Sequence, residues 1–297
     1  MIITNKLNLP DGFVKAVSTE KHNAPGSLSA TTLIQGIKQI ILTERHWDLL
    51  VDDVSDRIWA IFGSAVHSLL ENEGKYDFTE QKMTYKVGDT TVTGTIDNYD
   101  MEHGVICDYK TASVVKIKFN DFTDWYLQGM IYAWLLFKNN FEVNRCRFIA
   151  LLKDHSKTDA IRERDYPKEP VYIYEFPVTL QDLFKIGVFI KDKVEEYQRC
   201  LLLQDNDIPP CLPEERWDKP PKFAVMKTGN KRAVRLFDNA EEAGQLEEAK
   251  GAGHFVEHRQ GESIKCRSYC LCNRFCNFYQ GSIISSPPDL EEEQAAA

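Results

Sequence analysis

Apolar positions along the chain recur with two periods, near 3.6 and near 2, and their alternation outlines an α/β protein. An extended opening arm ends near Pro25-Gly26. Ser27 or Ser29 then caps a predicted helix running to about His46, with Leu33, Ile34, Ile37, Ile40 and Ile41 on its buried side. A second helix is predicted from about Ser55 to a stop at Gly74, where Ile58, Ile61, Phe62, Ala65, Val66, Leu69 and Leu70 fall at helical spacing. Strand-like runs follow over 81–87, 91–97 and 105–110, the first two joined by the turn pair Gly88-Asp89. The third is short and apolar and ends in charge, as a buried strand does on reaching a site. A helix over 122–138, a strand over 147–152, a polar loop over 153–170, a strand over 171–176 and an amphipathic helix over 180–203 come next.

The texture changes at Asp205. IPPCLPEERWDKPPK is a proline-rich linker, and it leads to strands over 223–226 and 233–237, a helix over 240–250 and a strand over 254–258. Cysteines cluster at 266–276, and SSPPDLEEEQAAA has the composition of a disordered acidic tail. The expected organisation is a core over 1–205 and a linker with a small ββαβ unit over 206–260. A cysteine region packing on the core over 261–282 and the tail over 283–297 complete it.

Composition limits what such a chain can do. Its 297 residues, 43% hydrophobic and 11% aromatic, suffice for a sizeable core and exclude wholesale disorder. A formal charge of −9 excludes a protein that coats nucleic acid indiscriminately, while leaving room for a local basic groove. MIITNKLNLPDG lacks the apolar stretch of a signal peptide, and no run approaches the roughly 20 apolar residues of a membrane span. A cytoplasmic location with no membrane partner is therefore expected. In a reducing compartment the eight cysteines point to metal or redox chemistry rather than disulfide staples.

Asp97 ends one predicted strand and Asp108-Tyr109-Lys110 ends the next, so neighbouring strands can bring two carboxylates to one hard divalent cation. Lys110 shares a strand face with Asp108 and can stabilise charge developing on a phosphate. Alone, a D-x-K triplet more often marks charged strand ends. Gly63, His67 and Glu71, four residues apart, form one helical stripe, and Gln128 and Tyr132 form another. Each by itself is also compatible with ordinary helix decoration.

The series Gly63-Ser-Ala-Val-His67, Gly94-Thr-Ile-Asp97, Asp108-Tyr-Lys110 and Gln128-Gly-Met-Ile-Tyr132 resembles the RecB-like branch of the PD-(D/E)XK nuclease superfamily. The likeness covers roughly 27–152 and implies a restriction-endonuclease-like core, a central mixed sheet flanked by helices. It implies Mg²⁺ or Mn²⁺ held by Asp97, Asp108 and His67, with Glu71 a weaker candidate. It also implies Lys110 as the catalytic lysine and Gln128 and Tyr132 organising site and substrate. The activity implied is DNA hydrolysis, in the manner of an exonuclease of recombination, repair or replication. Compact chains of this form resemble phage-encoded ones, which would place the protein in a host cytoplasm with recombination or replication proteins as partners. The alternatives are a non-catalytic DNA-binding or scaffold protein that keeps the fold, and a cysteine-cluster interaction module carried on it.

Zinc and iron–sulfur centres both accept four thiolates. Cys270 and Cys272 are so close in the chain that ligation of one ion by both would strain the loop. Cys211, Cys266, Cys270 and Cys276 therefore form the better set, with Cys272 as the alternative ligand. One distant cysteine with a tight C-terminal trio resembles the 4Fe–4S staple of the AddB and CRISPR-adaptation nucleases. There the first ligand precedes the core, whereas here no cysteine precedes Cys107, so zinc stays open. Cys107, Cys146 and Cys200 lie in apolar contexts, as core residues do. Lys222, Lys227, Lys231, Arg232 and Arg235 concentrate positive charge within a stretch faintly similar to ribonuclease-H hybrid-binding modules. They are either a DNA-backbone track or a solvated hairpin.

Overall fold

The computed structural model describes residues 1–18, 26–71 and 76–284, with the side chains of 71, 283 and 284 left aside. The chain opens with β1 (Ile2–Thr4), α1 (Asp11–Ser18), β2 (Ser27–Ser29), α2 (Ala30–Leu33) and α3 (Ile37–Arg45). After β3 (Val51–Asp53) and α4 (Ile58–Glu71) come β4 (Phe78–Val87), β5 (Thr90–Asp100), β6 (Val105–Ala112), α5 (Val114–Phe119) and α6 (Thr123–Lys138). β7 (Arg145–Leu152), α7 (Lys157–Arg162), β8 (Val171–Pro177) and α8 (Leu180–Cys200) follow. Two compact units result: 1–37 with 48–202, and 38–47 with the chain from 203 onward.

The first unit is built on a six-stranded mixed sheet of order β2-β5-β6-β7-β8, with β4 added alongside β5. β2–β5 and β6–β7 are parallel pairs, and the other pairings are antiparallel. Helix α6 forms the core of one face, burying Trp125, Met130, Ile131, Trp134, Leu135 and Leu136. Helix α8 packs with it through Leu183, Ile186, Ile190, Val194 and Tyr197, spaced for one helical stripe. It starts at a reciprocal capping box between Thr179 and Asp182. The opposite face carries α4, laid along β6. Helix, three strands, helix and strand in this order form the α/β core expected, a central mixed sheet flanked by helices.

Two glycines set how closely α6 approaches the sheet. A Cβ on Gly129 would lie 2.9 Å from the Phe148 ring and 3.0 Å from that of Phe176. On Gly94 of β5 it would lie 2.8 Å from the Tyr132 ring. Gly63, in contrast, has ordinary room, 3.6 Å from Thr111 Oγ1, so close packing does not demand a glycine there.

The structure departs from expectation in four places. The helix expected over 27–46 is split: Ser29 caps α2 by accepting from the Thr32 N–H, and α3 starts anew after Gly36. The opening arm contains β1, paired in parallel with β3, and the helix α1. The loop expected over 153–170 contains α7, capped by Ser156 and closed by Lys168, whose ammonium donates to the carbonyls of Ala160 and Glu163. Finally, α4 turns its Gly63–His67 stripe toward β6, which leaves Phe62 and Leu69, about 100° or more around the helix, exposed.

The second unit contains α3 from Lys38 onward, then α9 (Pro213–Arg216), β9 (Asp218–Lys219), β10 (Lys222–Lys227), β11 (Arg235–Phe237) and α10 (Ala240–Lys250). It continues through β12 (His254–Arg259), β13 (Glu262–Ser263), α11 (Ile264–Ser268) and α12 (Asn277–Ile284). β10, β11, α10 and β12 form the small ββαβ unit, with β10 central in an antiparallel sheet. Asp205 fastens the end of α3, 2.6 Å from both Arg45 Nη1 and His46 Nε2, and the His46 ring stacks on Phe275. The acidic tail from 285 lies outside the described residues. Among them, no helix is long and apolar enough to cross a membrane.

Gly129→Ala forces a methyl group into two phenylalanine rings. It is expected to lower unfolding free energy by about 1–3 kcal/mol, read from denaturant unfolding. An unchanged midpoint would mean that α6 does not pack against β7 at this distance.

Candidate functional site

The site is made where two strands part. β5 and β6 pair at Asp100↔Val105, Tyr99↔Ile106 and Asn98↔Cys107, and there the ladder stops. Asp97 and Asp108 are the next residues in register and would share a face. Instead of meeting a β5 carbonyl, the Tyr109 N–H donates to Asp97 Oδ2 at 2.8 Å. On the other side of β5, β4 pairs Thr79↔Asn98 and Gln81↔Ile96 but skips Glu80, level with Asp97. Glu80 has φ 49°, a left-handed conformation uncommon for a glutamate and held only where surrounding structure enforces it.

His67 closes this corner from α4. Its Nδ1 lies 3.3 Å from Asp97 Oδ2 and 3.8 Å from Glu80 Oε1, and its ring meets Tyr109 edge-on. One ligand atom each from His67, Glu80 and Asp97 lie within 4.8 Å of one another, the sole such group among the described residues.

Asp108 sits beside them, 1% exposed. Lys110 Nζ is 2.6 Å from its Oδ2, an ion pair that lies off a hydrogen-bonding direction. Gln128 Nε2 lies 3.4 Å from its Oδ1 and donates to the Tyr132 hydroxyl at 2.8 Å. Because Asp108 and Lys110 face α6 while Tyr109 faces α4, the strand delivers groups to both faces of the sheet.

Electrostatics set the chemistry. Burial, with the charge on Asp108 adding to it, pushes the Asp97 carboxyl up to about 7, against the opposing pull of His67, the Tyr109 N–H and Lys110. Burial raises Asp108 too, with Lys110 and then His67 pulling it back. Two buried carboxylates thus share less positive charge than they need to ionise together. That deficit, with an imidazole and a third carboxylate at hand, suits a divalent cation.

His67, Asp97, Asp108, Lys110, Gln128 and Tyr132 are therefore brought together. The Glu71 side chain falls outside the described residues. Glu80 occupies the place of an additional acidic neighbour, and sequence reasoning passed over it. The strand was expected only from Gln81, and one missing pairing in an otherwise continuous ladder leaves no local signature.

In the second unit, Cys211, Cys266, Cys270, Cys272 and Cys276 line one pocket. Burial, then the neighbouring Cys270, Cys211 and Cys276, push the Cys266 thiol up to about 12. Cys270 is drawn down to about 7, chiefly by its contact with Cys272, whose Sγ is 3.5 Å away. Cys272 is 1% exposed and also lies 3.7 Å from the Gln39 carbonyl. Cys107, Cys146 and Cys200 are buried, as expected of core residues.

The five basic residues of the ββαβ unit do not form one stripe. Lys227, Lys231, Arg232 and Arg235 gather around the β10–β11 turn, while Lys222 lies at the far end of β10 in an ion pair with Asp238.

No protein-family model matches the chain, and no curated protein matches it. Among solved structures, the protein SSO0001 is 16% identical over 62% of this chain and 83% of its own, with a TM-score of 0.45. A phage-related exonuclease from Haemophilus somnus 129PT is 11% identical over 59% of this chain and 95% of its own, with a TM-score of 0.38. Both are distant likenesses, and what points to chemistry is the geometry of the site itself.

In metal-free protein the raised Asp97 carboxyl keeps a proton in the folded chain that the unfolded chain releases near pH 4. Stability is therefore expected to fall as pH rises from about 4 through about 7. Asp97→Asn should remove that part of the slope in urea unfolding at stepped pH. Identical pH profiles for the two proteins would contradict the burial of Asp97 beside Asp108.

Proposed function

We propose that this chain is a metal-dependent nuclease that hydrolyses phosphodiester bonds in DNA, acting as an exonuclease. The observation that carries this reading is the convergence of Asp97, Asp108, Lys110 and His67 where β5 and β6 part. Asp97 and Asp108, with His67 and Glu80, would hold Mg²⁺ or Mn²⁺, which when bound supplies an activated water and neutralises phosphate charge.

The protein's own groups have separable tasks. Lys110 keeps a cation at the edge of the carboxylate pair, where negative charge develops on a phosphate under attack. Gln128 orients Asp108 and is itself held by Tyr132, so the carboxylate is positioned from a rigid, buried helix. His67 and the Tyr109 N–H fix Asp97. Residue by residue, the resemblance to RecB-like nucleases supports DNA as substrate and a place in recombination, repair or replication. Lys227, Lys231, Arg232 and Arg235 would add backbone contacts from the ββαβ unit. We further infer that Cys211, Cys266, Cys270 and Cys276 hold an iron–sulfur or zinc centre of structural role, supported by their shared pocket.

Asp108→Ala is expected to fold and to lose Mg²⁺- or Mn²⁺-dependent cleavage of DNA by at least about 100-fold. The check is release of acid-soluble nucleotides by contaminant-free protein, with circular dichroism as the folding control. Cleavage at the wild-type rate by a folded Asp108→Ala protein would remove the reading.

A further inference from the structure

Lys38, in the first turn of α3, is 2% exposed. Its Nζ makes three hydrogen bonds, donating to the carbonyls of Asp205 at 2.9 Å and Ile208 at 2.7 Å and to Asn277 Oδ1 at 2.7 Å. An ammonium has three N–H donors and a neutral amine only two, so this arrangement needs the ammonium. All three acceptors are neutral, and no ion pair to Lys38 occurs among the described residues. A buried charge matched only by dipoles is costly unless an opposite charge stands nearby.

The place for that charge is the cysteine pocket, which Lys38 lines. Among the described residues, none of the other charges on its wall forms an ion pair with Lys38. Arg216 and Lys265 are positive; Arg216 is paired with Asp218 at 2.5 Å and donates to the Cys211 carbonyl. Glu215 is negative, and its Oε2 accepts the Leu212 N–H at 2.8 Å as part of the α9 cap. Burial raises the Cys211 thiol, against the opposing pull of a hydrogen bond from the backbone of Gln39, next to Lys38. Four thiolates around a divalent zinc ion, or around a dicationic iron–sulfur core, make a dianion. The pocket therefore combines ligands that become anionic on metal binding with a buried ammonium that forms no ion pair among the described residues.

We propose that Lys38 is the built-in counter-charge of an anionic tetrathiolate centre held by Cys211, Cys266, Cys270 and Cys276. The proposal rests on the metal reading of those cysteines. Lys38 touches three neutral oxygens and acts through the pocket, so it is a positioning residue, and its task must be separated from simple tethering. Asn277→Leu provides that separation, because it removes one tether and keeps the ammonium.

The experiment uses full-length protein, prepared anaerobically and analysed for iron, sulfide and zinc, then challenged with a chelator. Wild type is expected to hold the metal. Lys38→Met is expected to hold it about 10- to 100-fold more weakly, and Asn277→Leu close to wild type. Lys38→Gln, neutral but still able to donate, is the second charge variant and should follow Lys38→Met. Urea unfolding of the metal-free forms shows whether the loss exceeds any loss of folding. If the centre is iron–sulfur, its midpoint potential should move to more negative values in both charge variants. Retention in Lys38→Met equal to wild type or to Asn277→Leu overturns the counter-charge. Wild type without metal, with four freely titrating thiols, overturns the metal reading and the proposal with it.

Discussion

The candidate active site depends on one interrupted ladder. β5 and β6 hydrogen-bond as far as Asn98 and Cys107, and at the next residue the strands separate. Had they stayed paired, the Tyr109 N–H would have been spent on sheet structure. Parted, it turns to the Asp97 carboxylate, and a corner opens that α4 fills with His67 and β4 fills with Glu80. The separation is tolerable because the sheet is held firmly elsewhere. β6 is paired with β7 from Val105 to Ala112, and α6 approaches closely over Gly94 and Gly129. Rigid packing on one side thus positions Asp108, Gln128 and Tyr132, while the parted strands leave room for His67 and Glu80 beside Asp97.

Charge balance explains both units in the same terms. In the first, buried carboxylates face too few cations, and burial holds Asp97 near neutrality in its proton affinity. In the second, a buried ammonium faces only neutral oxygens beside a pocket of thiols. Each is costly as it stands, and on the proposed reading each would be offset by a complementary charge: a hard divalent cation in one, metal-bound thiolates in the other.

Much of this was legible before the fold was known, because periodic patterns report burial directly. α6, β7, β8 and α8 lie close to where alternation and helical spacing put them, and α10 coincides with its expected span. His67, Asp97, Asp108, Lys110, Gln128 and Tyr132 were legible as spaced motifs only when taken together as a series. Features set by partners far along the chain were not. Glu80 enters through a left-handed backbone position where β4 misses one pairing of an unshifted ladder, and Lys38 sits within the apolar run from Ile37 to Leu42, where a lysine is ordinarily solvent-facing. α4 turns to the sheet the face that carries His67, which meets Asp97, and leaves Phe62 and Leu69 exposed. The break at Gly36 and the short helices α1 and α7 escaped because caps and two or three turns leave weak periodicity.

The central claim is that Asp97 and its neighbours form a divalent-cation site. Crystals grown with Mn²⁺ and measured for anomalous scattering test it most directly. A manganese peak against the Asp97 carboxylate, with His67, Glu80 or Asp108 as a further ligand, is the predicted result. Saturating Mn²⁺ with no peak at Asp97 would contradict the account.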